Sequence, residues 1–347
     1  MSAAQLLRLE YLTPAESRSQ GWHGVLGAAA FADGARDPQD GGDFPVAHVH
    51  TPVLSEAHEM LEVWRAGERV QAASHGRVRY ARGGDFFFGS VAVRETELTN
   101  SEASGLRPPL ELATDLAYRE MYAALAAGGN PQLVRVWNYI PDINLESQGL
   151  ERYRHFNTAR QEASLASGRA VVGNVPAASA LGAASGSPLT LYFLASGRAP
   201  AFIENPRQMS AYRYPSQYGP RSPAFSRATV LGEGSDATLF VSGTASIVGH
   251  RTLHAGDPAA QTRETLVNIE SLLEEAARCT SIELLRLETL AFKVYVRAPK
   301  DLPVIRAELE SALGSNANFL YLKADICRQD LAVEIEAVGG AGWRPAN

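Results

Sequence analysis

The stretch DLAVEIEAVGG, residues 330–340, has the pattern of a buried β-strand near the end of the chain. Its apolar positions are Leu331, Val333, Ile335 and Val338. Two carboxylates, Glu334 and Glu336, interrupt this apolar pattern. Residues two apart on a strand share a face, so both acids are predicted to point the same way.

Strand and helix patterns alternate on both sides of the middle of the chain. In the second half the predicted elements are a strand at 237–247, a helix at 259–279, a strand at 290–298, a helix at 302–313, a strand at 318–326 and the strand quoted above. In the first half they are a strand at 85–93, a helix at 109–127, a strand at 134–142, a helix at 150–164 and a strand at 188–196. We interpret this repeated order as an internal duplication of one α+β unit.

The boundary between the two copies is predicted in the Pro- and Tyr-rich stretch near 205–220, which gives domains at 1–205 and 206–347. The last strand of the first copy reads LTLYFLA (189–195) and carries no acid. A purely structural role of the acids should have appeared in both copies. Solvation of one strand face is the alternative explanation, but the asymmetry favours a function for Glu334 and Glu336.

The composition is that of a soluble globular protein, since 45% of the 347 residues are hydrophobic and 20% are charged. The net charge of −6 provides no basic field for nucleic acid or anionic lipid. Cys279 and Cys327 are too few for a disulfide framework or a cysteine-based metal site. Because no run of 18 apolar residues and no signal-peptide pattern is present, a cytoplasmic location is predicted.

Motifs for other kinds of site are weak. The HVH triplet at 48–50 and His58 lack an acidic or thiol partner at a zinc-like spacing, so no metal is predicted. The glycine turn GEGSD at 232–236 lacks the GK[ST] sequence and the following helix of a phosphate loop. There is no basic stripe with interleaved aromatics for nucleic acid.

Four segments of the second half, in this order, resemble the Rid (YjgF-like) family: QYGPRSPAFSRATVL (217–231), LFVSGTASI (239–247), AQTRETLVNIESLL (260–273) and VEIEAV (333–338). The resemblance implies a small α+β unit of a kind that usually forms trimers with ligand sites at the interfaces. Rid enzymes that hydrolyse imines hold the substrate carboxylate with an arginine upstream of the last strand. The corresponding position here is Phe319, so imine hydrolysis is not expected.

A second resemblance covers nearly the whole chain. The segments RVWNYIPDIN (135–144), YRHFNTAR (153–160), AFIENPRQMSAYRYP (201–215), SGTASIVGH (242–250) and ADICRQDLAVEIE (324–336) are similar to the chorismatases. That family joins an N-terminal and a C-terminal Rid-like domain in one chain, removes pyruvate from chorismate, and uses no metal or organic cofactor. The cysteine of ADIC resembles the 3-hydroxybenzoate synthase branch, whereas the hydrolytic branch yields a dihydroxy-cyclohexadiene carboxylate.

Cleavage of the enol ether of chorismate begins with protonation of its methylene carbon, which requires an acid that stays protonated near neutral pH. A carboxyl on an apolar strand beside a like charge has a raised pKa. Glu334, flanked by Val333 and Ile335, is therefore the predicted general acid. Glu336 is predicted to lie nearer the strand end and solvent.

Arginine suits the two carboxylates of chorismate because its planar fork pairs both oxygens at once. Arg160 follows Tyr153 by seven residues, so the two are predicted to share one helix face and to contact substrate. The resemblance implies that Arg227, in FSRA, lines the ligand cleft, and Arg221, in GPRSP, is its rival. A surface salt bridge is the alternative for each arginine.

The remaining predicted substrate-binding residues are smaller or aromatic. Tyr212 and Tyr214 alternate with Arg213 in SAYRYP and are expected to hydrogen-bond a carboxylate or ring hydroxyl, and the alternative is that they are ordinary core or edge residues of a strand. Gly243 resembles the position where Rid-like proteins bring backbone close to ligand. Cys327 has no adjacent histidine, so it is expected to shape the pocket as a thiol and not to act as a thiolate.

The predicted function is cofactor-free cleavage of chorismate to pyruvate and 3-hydroxybenzoate in a cleft between the two halves. The alternatives are the hydrolytic outcome and a catalytically silent Rid-like binding module. The partner expected is chorismate alone, with neither nucleic acid nor membrane. Fusion of two units can replace neighbouring subunits of a trimer, so a monomer or a small oligomer is predicted.

Overall fold

Three β-sheets organise the chain in the computed structural model, which describes residues 7–33, 43–67, 69–98, 107–315 and 317–343. The N-terminal sheet has four strands in the order β1-β4-β2-β3. Its elements are β1 (Arg8–Leu12), α1 (Pro14–Gln20), β2 (Val25–Ala32), β3 (Val46–His50) and β4 (Glu59–Arg65). The strand patterns singled out in the sequence begin at residue 85, so this sheet was not predicted.

The first large sheet has six strands in the order β11-β8-β12-β7-β6-β5. Its elements are β5 (Val70–His75), β6 (Val78–Gly83), β7 (Phe86–Val93), α2 (Pro109–Ala127), β8 (Gln132–Pro141), α3 (Arg152–Ala166), β11 (Ala177–Ala183) and β12 (Leu189–Ser196). A short hairpin of β9 (Glu146–Ser147) and β10 (Leu150–Glu151) precedes α3. Helices α2 and α3 pack on one face of this sheet.

The second large sheet also has six strands, in the order β13-β14-β15-β20-β18-β19. Its elements are β13 (Ala201–Ile203), β14 (Ala228–Leu231), β15 (Thr238–Ala245), α4 (Pro258–Cys279), β18 (Ala291–Val296), α5 (Leu302–Leu313), β19 (Asn318–Lys323) and β20 (Val333–Gly340). A small hairpin, β16 (Ile247–Val248) and β17 (Arg251–Thr252), follows β15. Helices α4 and α5 cover one face.

The two large sheets have the same topology. Reading each sheet from the edge strand, β5 corresponds to β13, β6 to β14, β7 to β15, β12 to β20, β8 to β18 and β11 to β19. The order of strands and helices along the chain is also the same. The predicted α+β class and the internal duplication are therefore confirmed. The chain passes from one sheet to the other between Ser196 and Ala201, and the domain boundary at 205/206 stays a prediction.

Helix α4 shows why the local sequence produces this layering. Asp257 caps it by accepting a hydrogen bond from the backbone N–H of Ala260, and Pro258 occupies its first turn. Its predicted apolar stripe is buried against the second large sheet, and consists of Leu266, Ile269, Leu272, Leu273 and Ala276. Among the described helices, none is long and apolar enough to cross a membrane.

Strand β20 alternates between two buried environments. Val333, Ile335 and Ala337 pack in the core beneath α4 and α5. Glu334 and Glu336 therefore lie on the opposite face, as predicted, because successive side chains on a strand point to opposite sides. That face looks into a central core that the three sheets share. Each sheet contributes large aromatic side chains to this core. They include Phe31 and Trp64 from the N-terminal sheet, Phe88, Trp137 and Tyr192 from the first large sheet, and Phe240 and Tyr295 from the second.

Four ionisable side chains, Glu62, Arg135, Lys293 and Glu336, form a buried charge cluster inside the central core. Lys293 pairs with Glu62 and, at 2.7 Å, with Glu336, and the Nη2 atom of Arg135 lies 2.7 Å from the other Glu336 oxygen. Each of the three sheets supplies at least one member of the cluster. The prediction that Glu336 lies towards solvent is wrong, since only 5% of its surface is exposed.

Indole and hydroxyl groups complete the hydrogen bonding of the cluster. Trp64 Nε1 donates to Glu62 at 2.8 Å, whereas Trp137 Nε1 and Ser179 Oγ each donate to Glu336 at 2.7 Å. Burial disfavours the charged form of Lys293, but Glu336 and Glu62 outweigh it and raise the pKa of this ammonium. The cluster therefore holds two positive and two negative charges without net charge, which is the condition for burying ions at moderate cost.

Replacing Lys293 with methionine tests the role of the cluster in stability. The change leaves Glu62 and Glu336 with Arg135 as the remaining cation, and removing one partner of a buried ion pair costs roughly 3–5 kcal/mol. We expect a loss of that size in the free energy of unfolding, measured by urea denaturation. The exposed Lys300, replaced in the same way, is the control. Equal stability of the two variants would contradict a structural role of the cluster.

Candidate active site

A cavity of about 520 Å³ lies between the two large sheets. This size is within the range of small-molecule sites. The first half contributes Asn144, Glu146, Gly149, Leu150, Glu151, Tyr153 and Arg154. The connecting segment and the second half contribute Tyr214, Tyr218, Pro223, Phe225, Arg227, Gly243, Ala245, Ile247, Cys327, Arg328, Gln329 and Glu334. A ligand in this cavity touches both copies of the duplicated unit.

Glu334 has the electrostatic properties of an acid that is protonated at neutral pH. Only 4% of its surface is exposed, yet it lines the cavity. Burial and the neighbouring charge of Glu336 raise the pKa of Glu334 to about 8, against the opposing effects of Arg135 and Arg227. Both causes are the ones that the sequence predicted.

Glu336 has the opposite charge state two residues further along β20. Burial favours its neutral form, but Lys293 and Arg135 hold the pKa of Glu336 below its ordinary value. The ionised Glu336 in turn disfavours ionisation of Glu334. Of the two carboxyls on this strand face, Glu336 is thus ionised and Glu334 is a neutral proton donor. This difference is expected when the surroundings lower the pKa of one carboxyl and raise the pKa of its neighbour.

Gly243 makes room for the Glu334 carboxyl. The register of β15 against β20 shifts between Val241 and Thr244, which places Gly243 in an irregular stretch of the strand. A Cβ atom at Gly243 would lie 1.9 Å from Oε1 of Glu334. Glycine is therefore required for the observed position of the acid, which is a different role from the backbone–ligand contact that was expected.

Arg227 is a buried cation on the cavity wall. Its Nη2 atom donates to the carbonyl of Met209 at 2.7 Å and to the hydroxyl of Tyr214 at 2.8 Å. Its guanidinium carbon lies 5.1 Å from the centroid of the Phe225 ring. The Nε atom of Arg227 is buried without a hydrogen-bond partner. Because Arg227 lines the cavity, its guanidinium places a positive charge on the cavity wall.

Arg328 is a second cation on the cavity wall that the sequence reading did not select. Its guanidinium carbon lies 4.2 Å from the centroid of the Tyr218 ring, and Nη1 donates to the carbonyl of His250 at 2.9 Å. Its Nη2 atom is buried and has no hydrogen-bond partner. The sequence feature that could have pointed to Arg328 is its position directly after the predicted pocket residue Cys327, in the segment that leads into β20.

The structure brings most of the predicted substrate-binding residues together. Those that line the cavity are Tyr153, Tyr214, Arg227, Gly243 and Cys327, together with the predicted acid Glu334. Arg160, Tyr212 and Arg221 are not among the residues that line it. Burial and Glu334 raise the pKa of the Cys327 thiol to about 12, so this side chain is neutral at physiological pH.

The other predicted residues do not line the cavity. Arg160 is buried in α3, where it donates to Asn157 at 2.8 Å and lies 5.2 Å from the Phe156 ring centroid. Tyr212 lies in a 3₁₀ turn (Ala211–Arg213) and not on a strand. Arg221 is exposed. Direct contact of Arg160 or Tyr212 with substrate stays a prediction.

Comparisons with known proteins agree with this architecture. Residues 62–195 match the family described as chorismatase FkbO/Hyg5-like, N-terminal. A 3-hydroxybenzoate synthase of Streptomyces hygroscopicus is 36% identical over 324 residues, which are 90% of this chain and 91% of that protein.

A chorismatase of Streptomyces rapamycinicus is 38% identical over 302 residues, which are 85% of this chain and 86% of that protein. A chorismatase crystal structure superposes with a TM-score of 0.88 at 32% identity, covering 98% of this chain and all of the other. These similarities extend over both large sheets and the segment that joins them. The chain belongs to the chorismatase family.

Proposed function

We propose that this protein cleaves chorismate to pyruvate and 3-hydroxybenzoate without a cofactor. The observation that carries the proposal is the neutral Glu334 carboxyl on the wall of a cavity that also contains Arg227 and Arg328. Chorismate carries two carboxylates and an enol ether, which need cations and a proton donor. The similarity to a protein named 3-hydroxybenzoate synthase supports the choice of product.

In the first step, Glu334 gives its proton to the methylene carbon of the enolpyruvyl group. The carbon–carbon double bond becomes a methyl group, and the adjoining carbon becomes an oxocarbenium ion. Glu334 is then a carboxylate close to a new positive charge, which stabilises that charge. The fixed negative charge of Glu336 adds to this effect, because it needs no reorganisation during the reaction.

In the second step, a ring hydroxyl of the substrate attacks the oxocarbenium carbon. This attack gives a cyclic ketal, in which two carbon–oxygen bonds then break. The bond between the original ether oxygen and the ketal carbon breaks, which leaves that oxygen on the ring, and the ring bond of the attacking hydroxyl oxygen breaks, so that this oxygen leaves as the carbonyl of pyruvate. The proton of the attacking hydroxyl ends on the phenol oxygen, and loss of the ring proton from the carbon that bears this oxygen makes the ring aromatic. That proton returns to the Glu334 carboxylate and restores the starting acid. No water is consumed, since chorismate contains all the atoms of pyruvate and 3-hydroxybenzoate.

The two arginines on the cavity wall are assigned to the substrate carboxylates. Arg227 and Arg328 both line the cavity, and guanidinium groups make charge-assisted hydrogen bonds to carboxylates. Tyr214 holds Arg227 in place through its hydroxyl. Besides the predicted substrate contact, Arg160 packs on Phe156 within the helix that presents Tyr153 to the cavity, which gives it a positioning role.

The first prediction on activity concerns Glu334→Gln. Glutamine keeps the shape of the side chain but has no proton to give, so turnover of chorismate should be lost while binding is largely kept. Ultraviolet absorbance follows turnover, and calorimetry follows binding. Activity within a few-fold of the unmodified protein would remove Glu334 from the mechanism. A chain that binds chorismate but leaves its spectrum unchanged before any substitution would be a binding module.

The pH dependence follows from the raised pKa of Glu334. The acid must be protonated to act, and it is protonated below its pKa, so kcat should fall as the pH rises through about 8. A solvated glutamate with a pKa of 4.5 would already have lost its proton at neutral pH. A kcat that rises between neutral pH and pH 9 would contradict the assignment of Glu334 as the acid.

Arg227 and its rival Arg221 are compared by replacing each with alanine. Loss of one partner of a desolvated charge pair costs roughly 2–5 kcal/mol, so kcat/KM should fall by about 30-fold or more in Arg227→Ala. Arg221→Ala is the matched control, because this exposed arginine does not line the cavity. We expect its kinetics to be close to normal. The reverse order of effects would assign the carboxylate to Arg221.

The product separates the two branches of the family. A site that excludes water during the second step leaves the intramolecular route and gives 3-hydroxybenzoate. We expect Cys327 and Gly243 to set the space beside Glu334, so replacing both should divert part of the product to the dihydroxy-diene acid. Because a Cβ at residue 243 meets Glu334, the rate should fall as well. A mass spectrum of the unmodified reaction that contains the diene acid alone would contradict the assigned branch.

A further inference from the structure

A second cavity, of about 410 Å³, lies between the N-terminal sheet and the first large sheet. We call it the N-terminal cavity. Its lining residues are Val46, Ala47, His48 and His50, Arg77 and Arg79, Ser90, Val91 and Ala92, and Arg94, Glu97, Pro188 and Thr190. None of these residues lines the cavity that contains Glu334. The N-terminal cavity is therefore separate from the proposed active site.

The N-terminal cavity occupies the place on the first large sheet that the active-site cavity occupies on the second. The active-site cavity lies at the end of β15 and the start of β20, at Gly243 and Glu334. The N-terminal cavity lies at the end of β7 and the start of β12, where Ala92 pairs with Thr190. Strands β7 and β12 are the counterparts of β15 and β20. Duplication of the unit thus placed a cavity at the same position in each copy.

The second wall of each cavity comes from the preceding sheet. Strand β3 of the N-terminal sheet, with His48 and His50, closes the N-terminal cavity. The hairpin β9–β10 and α3, both of the first half, close the active-site cavity. The two cavities are therefore equivalent in construction, and each lies on a sheet face that is turned away from the helices.

The charged groups of the N-terminal cavity are mainly cationic. Arg77 is neutralised by Glu97 at 2.6 Å. Arg94 makes one long hydrogen bond, at 3.4 Å, to the carbonyl of Gly186, and Arg79 has no hydrogen-bond or ion-pair partner among the described residues. Burial, Arg94 and His48 lower the pKa of His50, as expected in a positive potential. Two guanidinium groups are therefore not neutralised by an acid of this cavity.

The floor of the cavity is apolar, with hydroxyl groups at its edge. Val46 and Ala92, which are not fully buried, contribute apolar surface. Ser90 Oγ and Thr190 Oγ1 make only long hydrogen bonds, each of 3.4 Å, to carbonyls of β3, so both can turn to a ligand. Glu97 is the sole acid among the described lining residues and is paired, which leaves no counterpart of the proton donor Glu334.

We propose that the N-terminal cavity binds a small carboxylate with a ring-sized apolar body and does not transform it. The unneutralised guanidinium groups of Arg79 and Arg94 pair the carboxylate oxygens, because the planar fork of arginine fits this group. The apolar floor receives the ring. The proposal does not depend on the reaction assigned to the active site.

The test uses benzene-1,3-dicarboxylate as the probe and isothermal titration of the full chain as the measurement. We expect two probe molecules to bind per chain. In an Arg79→Gln/Arg94→Gln double variant, affinity at one of the two sites should weaken by about tenfold or more, since each substitution removes a charge-assisted hydrogen bond. Turnover of chorismate by this variant should be unchanged.

Two further variants identify the sites. Arg119→Gln/Arg278→Gln removes the same charge from exposed surface positions and should keep both sites. Arg227→Ala should weaken binding of the probe in the active-site cavity and leave its binding in the N-terminal cavity unchanged. Equal binding by the two double variants would overturn the proposal.

Inorganic phosphate is the second probe, because it carries anionic oxygens but has no apolar body. It should bind the N-terminal cavity more weakly than the dicarboxylate. Phosphate that binds as tightly, with the same loss in Arg79→Gln/Arg94→Gln, would overturn the assignment of a carboxylate with an apolar ring.

Discussion

The ion pair between Glu336 and Lys293 is the interaction on which the other features of this structure depend. Lys293 also reaches Glu62 of the N-terminal sheet, and Glu336 reaches Arg135 of the first large sheet, so one cluster joins the three sheets. The same pair keeps Glu336 ionised inside the protein. Burial, together with this fixed negative charge, raises the pKa of Glu334 and keeps it neutral. Stability of the core and chemistry of the site thus have a common electrostatic origin.

The two copies of the duplicated unit have different tasks. The second copy carries both carboxyls on β20, whereas the first carries apolar and aromatic residues on the corresponding strand β12. The first copy instead supplies Arg135 and Trp137, which bind Glu336, and it supplies one wall of the active-site cavity. The active-site cavity therefore needs both copies, because the second carries the proton donor and the first supplies the facing wall.

Sequence reasoning correctly predicted the features that depend only on residues within one segment. The period of α4 and the alternation of β20 are local, and so are the apolar neighbours and the like charge that raise the pKa of Glu334. It failed for the environment of Glu336, because Glu62 and Arg135 come from distant strands. The N-terminal sheet was missed altogether. Arg328 was missed because its role depends on packing against Tyr218, in a different loop.

The contact between Gly243 and Glu334 has a consequence for the divergence of this family. A side chain at residue 243 and the present rotamer of the acid exclude each other, since the two would be 1.9 Å apart. A substitution there therefore requires the acid to move, which makes the effect of one position conditional on the state of the other. Such epistasis couples two positions that are far apart in the sequence. We expect a larger residue at this position to occur together with a different placement of the acid.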